Sequence, residues 1–205
     1  ADQRGADHQV LSPVAQRGGM ISVFLSASVP LPGRDERFLK SADVIAIREA
    51  IKGLVEVVVQ RGTLVFGGHP AITPMIALLL RSYGAEARKR VILYQSEYFL
   101  KKLPQEADEF IDLRLIPAQA RNRKRSLERM RKHMIEDTPF KAAVFIGGME
   151  GVLDEYDLFK RRHPEAHLWP IASTGAAARE IFVAEGRPQA EQLLSEMTYA
   201  TLFRE

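Results

Sequence analysis

Two near-identical stretches, Thr63-Leu-Val-Phe-Gly-Gly68 and Ala143-Val-Phe-Ile-Gly-Gly148, decide the fold of this chain. Each is a short apolar run, rich in β-branched and aromatic residues, that ends in two glycines and is followed by a helical pattern. Continuously apolar strands are typical of parallel sheets, because helices cover both faces of such a sheet. The two stretches therefore predict parallel strands, each leading into a helix.

The same strand-then-helix order runs along the rest of the chain. Strands are predicted at residues 21–26, 63–66, 91–94, 113–116, 142–146 and 168–172. Helices are predicted at residues 43–60, after Pro70, over the basic segment 121–132, and at 152–161, 176–184 and 188–203. This alternation predicts an α/β fold with a doubly wound, mostly parallel Rossmann-like sheet and helices on both faces.

Composition narrows the class of protein. The chain has 205 residues, of which 46% are hydrophobic and 27% charged, with a net charge of +3. No stretch approaches the roughly 20 apolar residues of a membrane helix. A secretory leader and cysteine are both absent from the sequence, which favours a cytoplasmic protein. We expect a flexible polar arm over residues 1–19 and one domain over residues 20–205.

Small and hydrogen-bonding residues follow each predicted strand. In parallel α/β sheets, ligands bind in the crevice beyond these carboxyl ends. The residues predicted to bind a ligand there are Ser26, Ala27, Ser28, Gly67, Gly68, His69, Gly147, Gly148, Met149, Glu150, Gly151, Ser173, Thr174 and Gly175. Their small size leaves room for a ligand of nucleotide size, and their hydroxyls and amides supply hydrogen bonds.

The two Gly-Gly pairs favour a phosphate or carboxylate in this crevice. Glycine lets a ligand approach the backbone with no Cβ in the way. The helix that follows directs free N–H groups and its positive dipole end at the same point. The alternative is that the glycines only permit a tight turn between strand and helix.

A strongly basic segment separates the fourth and fifth predicted strands. Seven of the twelve residues from Arg121 to Lys132 are basic, while Leu127, Met130 and Met134 keep an apolar stripe. The pattern predicts an amphipathic helix. Its charges either form a solvated face or bring Arg131 into the crevice to hold a phosphate. Nucleic-acid binding is not favoured, because the segment has no aromatic residues for base stacking.

Glu155 is the acidic residue best placed to meet a ligand. It follows Gly151 by four residues, near the start of a predicted helix, and can accept hydrogen bonds from a ribose or act as a general acid or base. An acid near a helix start is also stabilised by the helix dipole without any ligand. We expect no metal site, because His163 and His167 lack a third ligand nearby.

These motifs together resemble the SLOG superfamily, over residues 20–185. The resemblance rests on Ser26-Ala-Ser28, Val65-Phe-Gly-Gly68, Met130-Arg-Lys132 and Gly147-Gly-Met-Glu-Gly-Val-Leu-Asp-Glu155. The superfamily joins the LOG phosphoribohydrolases, the DNA-processing Smf/DprA proteins and nucleotide-sensing domains of bacterial conflict systems. In the LOG signature, Pro-Gly-Gly-x-Gly-Thr-x-x-Glu, a threonine binds phosphate, and Val152 stands in its place here.

The resemblance implies two functions from different classes. The SLOG branch whose motifs are most similar to these is associated with TIR domains in antiphage defence. Resemblance to that branch implies a sensor of NAD-derived signals such as ADP-ribose derivatives. We prefer this sensor, without a cofactor, because Val152 cannot donate a hydroxyl to phosphate. The alternative is a LOG-like N-glycosidase, a nucleoside 5'-monophosphate phosphoribohydrolase that uses Glu155 and Arg131 as catalytic residues. Relatives of this kind pair through helix faces, so we also expect a homodimer or tetramer and a possible TIR-domain partner.

Overall fold

The fold is organised around one parallel six-stranded sheet. The computed structural model describes residues 20–33, 36–186 and 190–204, so the arm predicted at residues 1–19 lies outside the described residues. All pairings between neighbouring strands are parallel, and the strand order is β4-β3-β2-β1-β5-β6. The strands are β1 (Ile21–Ser28), β2 (Gly62–Gly67), β3 (Val91–Ser96), β4 (Asp112–Ile116), β5 (Ala142–Gly147) and β6 (His167–Ile171).

The helices connect the strands and cover both faces of the sheet. They are α1 (Glu36–Ser41), α2 (Val44–Arg61), α3 (Ile72–Leu80), α4 (Ala85–Arg88), α5 (Arg123–Glu136), α6 (Glu150–Arg162), α7 (Ala176–Glu185), α8 (Glu191–Ser195) and α9 (Tyr199–Leu202). Short 3-10 segments lie at Glu97–Lys102, Gln105–Glu109 and Ala172–Thr174. The structure therefore confirms the predicted α/β Rossmann-like fold. No helix in the described ranges combines the length and the apolar character needed to cross a membrane.

Alternate residues of the central strand enter two separate cores. Phe24 of β1 packs with α5, α6 and α7, and its ring stacks on Phe159 at 5.3 Å between centroids. Leu25, the next residue, packs on the opposite face with α2 and α3. Since successive side chains of a strand point to opposite faces, a strand buried on both faces is apolar over most of its length. This constraint explains the continuous apolar runs in the sequence.

The order of the strands creates a topological switch point beside β1. The chain adds β2, β3 and β4 on one side of β1 and then returns to place β5 on the other side. Residues Val23–Ser28 of β1 pair with Ala142–Gly147 of β5, so the two strands end at the same level. The helices after β1 and β5 depart in different directions, which leaves a crevice at these carboxyl ends.

Two predicted helices differ from the observed ones. The basic helix begins at Arg123 because Ala120 and Arg121 adopt positive φ angles of 44° and 55°, and the Asn122 side chain caps the Arg125 N–H at 3.0 Å. The closing helix predicted at residues 188–203 is two short helices over its described part. It breaks at Glu196, whose carboxylate accepts the N–H groups of the next two residues.

Gly175 opens α7 in a backbone conformation that only glycine adopts readily. Its φ and ψ are 70° and −156°, and an added Cβ would lie 1.7 Å from the Ser41 carbonyl oxygen. Gly186, at the other end of the same helix, has φ 58° and ψ 36° with open space around it. A side chain at position 175 would therefore meet both a backbone clash and an unfavourable φ angle, whereas a side chain at position 186 would meet only the unfavourable φ angle.

We expect Gly175→Ala to lower the free energy of unfolding by about 3 kcal/mol or more, since strain and a backbone clash add. Gly186→Ala is the matched control and should cost about 1–2 kcal/mol, the usual left-handed penalty. Urea unfolding of the two variants measures both values. Equal losses would contradict the close packing of Gly175 against Ser41.

Candidate functional site

A cleft of about 790 Å³ lies at the carboxyl ends of the central strands. The carboxyl ends of β1 and β2, the first turn of α6 and one face of α5 form its walls. The predicted ligand-binding residues that line it are Ala27, Ser28, Gly67, Gly68, His69, Arg131, Met149, Glu150, Gly151 and Glu155. The fold thus brings most of the predicted site residues into one cavity of a size suited to a nucleotide.

A polar cluster connects three elements beside the switch point. Ser26 Oγ donates to Glu155 Oε2 at 2.6 Å, and Arg131 Nε donates to Glu155 Oε1 at 3.2 Å. Arg131 Nη1 also donates to the exposed Asp154 carboxylate at 2.8 Å. The Arg131 and Glu155 side chains are each only 14% exposed. The cluster is therefore a largely buried ion pair that fixes α5 and α6 against the end of β1.

The start of α6 faces the same cleft. Met149 occupies the N-cap position and gives no side-chain hydrogen bond, so the N-cap side chain does not satisfy the first N–H groups of α6. The Arg131 guanidinium occupies the space beside Gly151, where an added Cβ would lie 2.8 Å from Nη2. Glycine at position 151 thus lets a guanidinium approach a helix N-terminus, and both groups favour an anion.

The second Gly-Gly pair makes a tight turn and does not line the cleft. Gly147 and Gly148 have positive φ angles of 57° and 97°, and the Gly148 N–H donates to the Ser28 carbonyl at 2.8 Å. An added Cβ at Gly148 would lie 2.4 Å from Val152 Cγ2. Val152 therefore covers this glycine, and both glycines serve the turn from β5 into α6.

The first Gly-Gly pair borders the cleft directly. An added Cβ at Gly68 would overlap the Gln95 carboxamide oxygen, so glycine leaves room for that side chain. His69 forms the start of the following turn: its Nδ1 accepts the Ala71 N–H at 3.2 Å, and its own N–H donates to Thr73 Oγ1 at 3.0 Å. The half-buried imidazole is thus held by the backbone at the rim of the cleft.

Ser173, Thr174 and Gly175 lie outside the cleft lining and support the strand ends. The buried Thr174 hydroxyl accepts the Gly147 N–H at 2.8 Å and donates to the Ile171 carbonyl at 2.6 Å. Ser173 Oγ lies 3.0 Å from the Tyr199 hydroxyl. Burial raises the pKa of Tyr199 above its ordinary range, which favours the protonated phenol that makes this contact. The segment fixes the β5 turn rather than meeting the cavity.

Several cleft residues were absent from the predicted site. Gln95 lies in β3, one residue before its end, and this position near a strand end is the only signal in the sequence that marks it. Lys102 comes from a 3-10 segment without a periodic pattern, and Arg123 and Lys124 belong to the basic run from which only Arg131 was selected. Within the described ranges, no three His, Asp or Glu side chains are grouped to hold a metal ion.

The comparisons with known proteins agree with this geometry. A family model described as the SLOG cluster3 family matches residues 37–205, from α1 to the end of the chain. No curated protein and no solved structure matches the chain. The family model covers the Gly-Gly turns, Arg131 and Glu155. The chain therefore belongs to the SLOG cluster3 family, in a superfamily of nucleotide-related Rossmann-like domains.

Proposed function

We propose that the cleft binds a nucleotide-derived ligand, such as an NAD or ADP-ribose derivative, and that the domain is a sensor. The observation that carries this proposal is the meeting of Arg131, the first turn of α6 and Glu155 at the switch-point cleft. A guanidinium and helix N–H groups suit a phosphate, and a carboxylate suits ribose hydroxyls. A phosphate and a ribose are the two parts that every such ligand shares.

The phosphate position is set by the free edge of Arg131. Its Nε and Nη1 atoms donate to Glu155 and Asp154, while Nη2 donates to none of the described residues and lies beside Gly151. The two carboxylates hold the guanidinium in one orientation before ligand arrives. Such preorganisation reduces the entropy cost of binding, because the long side chain is already immobilised.

The surroundings of Glu155 support binding more than hydrolysis. Both carboxylate oxygens already accept a hydrogen bond, from Ser26 and Arg131, and the side chain is mostly buried. A carboxylate held in this way has one lone pair left on each oxygen for a ligand hydroxyl. Val152 packs its methyl groups over Gly148, so no hydroxyl donor occupies the position of the LOG threonine.

A sensor domain produces an output only if ligand binding changes its interaction with another protein or with a second copy of itself. We propose that occupancy changes the assembly of the chain or the activity of a TIR-domain effector in antiphage defence. The support for this output is the resemblance of the sequence to TIR-associated SLOG domains together with membership of the SLOG cluster3 family. The cleft lies between α5 and α6, so a ligand that moves either helix alters the outer surface of the domain.

Glu155→Gln should weaken ADP-ribose binding by roughly 1–3 kcal/mol, because a charged acceptor for ligand hydroxyls becomes neutral. Asp154→Asn is the matched control. It also removes a carboxylate from Arg131, but the Asp154 side chain is 63% exposed and such pairs contribute at most about 1 kcal/mol. Isothermal titration calorimetry with both variants gives the two affinities, and thermal unfolding without ligand checks that each folds.

Assay of free-base release from nucleoside monophosphates, NAD and ADP-ribose separates the sensor from the enzyme. We expect no release by the wild type. Turnover by the wild type that falls by about 10²–10⁴ in Glu155→Gln, with affinity intact, would identify the LOG-like N-glycosidase and overturn the sensor.

We also propose a homodimer or tetramer in solution. Large apolar side chains are exposed on three helices: Ile45 of α2, Leu78 of α3 and Val183 of α7 are each more than 60% exposed. Symmetric oligomers commonly bury exposed apolar side chains of this kind in their interfaces. Light scattering with and without ADP-ribose should show at least a dimer. A monomer at tens of micromolar under both conditions would refute the proposal.

A further inference from the structure

One rim of the cleft carries positive charge that the protein does not neutralise. Lys102, Arg123 and Lys124 line the cavity, and all three are exposed. In the part of the chain that the structure describes, none of them forms an ion pair, whereas Arg131 in the same cavity forms two. Glu128, one turn further along α5, borders the cleft without pairing with them. The rim is therefore open to an anion from outside the chain.

Two of the three rim cations, Arg123 and Lys124, lie where they destabilise α5. Arg123, Lys124 and Arg125 are all in the first turn of α5, which has no acidic residue. Cations at this end of a helix face the positive end of its dipole and destabilise it. An anion bound at the rim would offset both the mutual repulsion of the side chains and the dipole.

The buried side chain of Gln95 lines the same cleft as these cations. Gln95 is only 5% exposed, yet it lines the cavity with its carboxamide against Gly68. Its one hydrogen bond within the described ranges runs from Nε2 to the Ser96 carbonyl at 3.4 Å, which is long for such a bond. The carboxamide is therefore only weakly bonded within the described protein, and a polar ligand group in the cleft can form further hydrogen bonds with it.

We propose that Gln95, Lys102, Arg123 and Lys124 form a second subsite that holds a second phosphate of the ligand and hydrogen-bonds its adjoining polar edge. Lys124 and Arg131 are seven residues apart on one face of α5, roughly 10 Å along the axis. Because both side chains are long, they can reach phosphates closer together than this. The inference rests on the proposed function and adds a basis for selectivity: the cleft should bind ligands with two phosphates, such as ADP-ribose, more tightly than nucleoside monophosphates.

The test compares AMP with ADP-ribose. Arg123→Ala/Lys124→Ala should weaken ADP-ribose binding about tenfold or more, because charge-assisted hydrogen bonds are lost, and should change AMP affinity less than about twofold. The matched control is Arg125→Ala/Arg129→Ala. It removes the same charge from α5, but these side chains border a separate depression on the outer face. An equal effect of both double variants, or none in either, would overturn the subsite.

Gln95→Leu provides a second measurement on the same subsite. Replacing a poorly bonded buried amide with an apolar group of similar size should leave the melting temperature of the free protein unchanged or higher. The rise in melting temperature on adding ADP-ribose should shrink, because that rise depends on affinity. A full ligand-induced rise in Gln95→Leu, or a marked loss of stability without ligand, would contradict the assigned role of Gln95.

Failure of the subsite and failure of the proposed function give different results. If the wild type binds AMP and ADP-ribose with equal affinity and the rim variant changes neither, the subsite is overturned and nucleotide binding stands. If the wild type binds neither compound by calorimetry, nucleotide binding itself is overturned, and the subsite with it.

Discussion

The double burial of β1 is the constraint on which the rest of the structure depends. A strand covered by helices on both faces has no access to water, so the backbone N–H and C=O groups along both of its edges need neighbouring strands as hydrogen-bond partners. The chain meets this requirement by adding β2 first and β5 only after β3 and β4. Because the chain reverses its direction of strand addition at β1, the connections that leave the carboxyl ends of β1 and β5 diverge. The cleft between them therefore follows from the packing of the core.

The polar cluster is a direct consequence of that topology. Ser26 is a buried polar residue of β1 and needs a partner, which Glu155 of α6 provides at 2.6 Å. The carboxylate in turn needs a cation because it is largely buried, and Arg131 of α5 lies within reach. The interaction that secures two helices to the central strand also places a guanidinium and a carboxylate in the cleft. Structural support and the proposed ligand recognition therefore share the same side chains.

The sequence allowed the strands to be predicted because double burial leaves an unmistakable apolar run, as in Ala143-Val-Phe-Ile146. The sequence also predicted Arg131 and Glu155 at the cleft, because helical spacing and a family motif both point to these two residues. The roles of the glycines could not be predicted in the same way, because Gly68 and Gly148 both end an apolar strand in a Gly-Gly pair, while only Gly68 lines the cleft. Lys102 and the break at Glu196 depend on local hydrogen bonding that has no periodic pattern.

In the proposed ligand site, the position of Val152 accounts for the placement of the basic residues along α5. Its methyl groups cover Gly148 at the tip of the β5 turn, and in the LOG signature that the sequence resembles this position carries a phosphate-binding threonine. An anion in the cleft must then be held from the side, by Arg131 and by the basic first turn of the same helix. A helix that carries its cations at the unfavourable end gives up stability there. Local conflicts of this kind are expected where function, rather than folding, determines the residues.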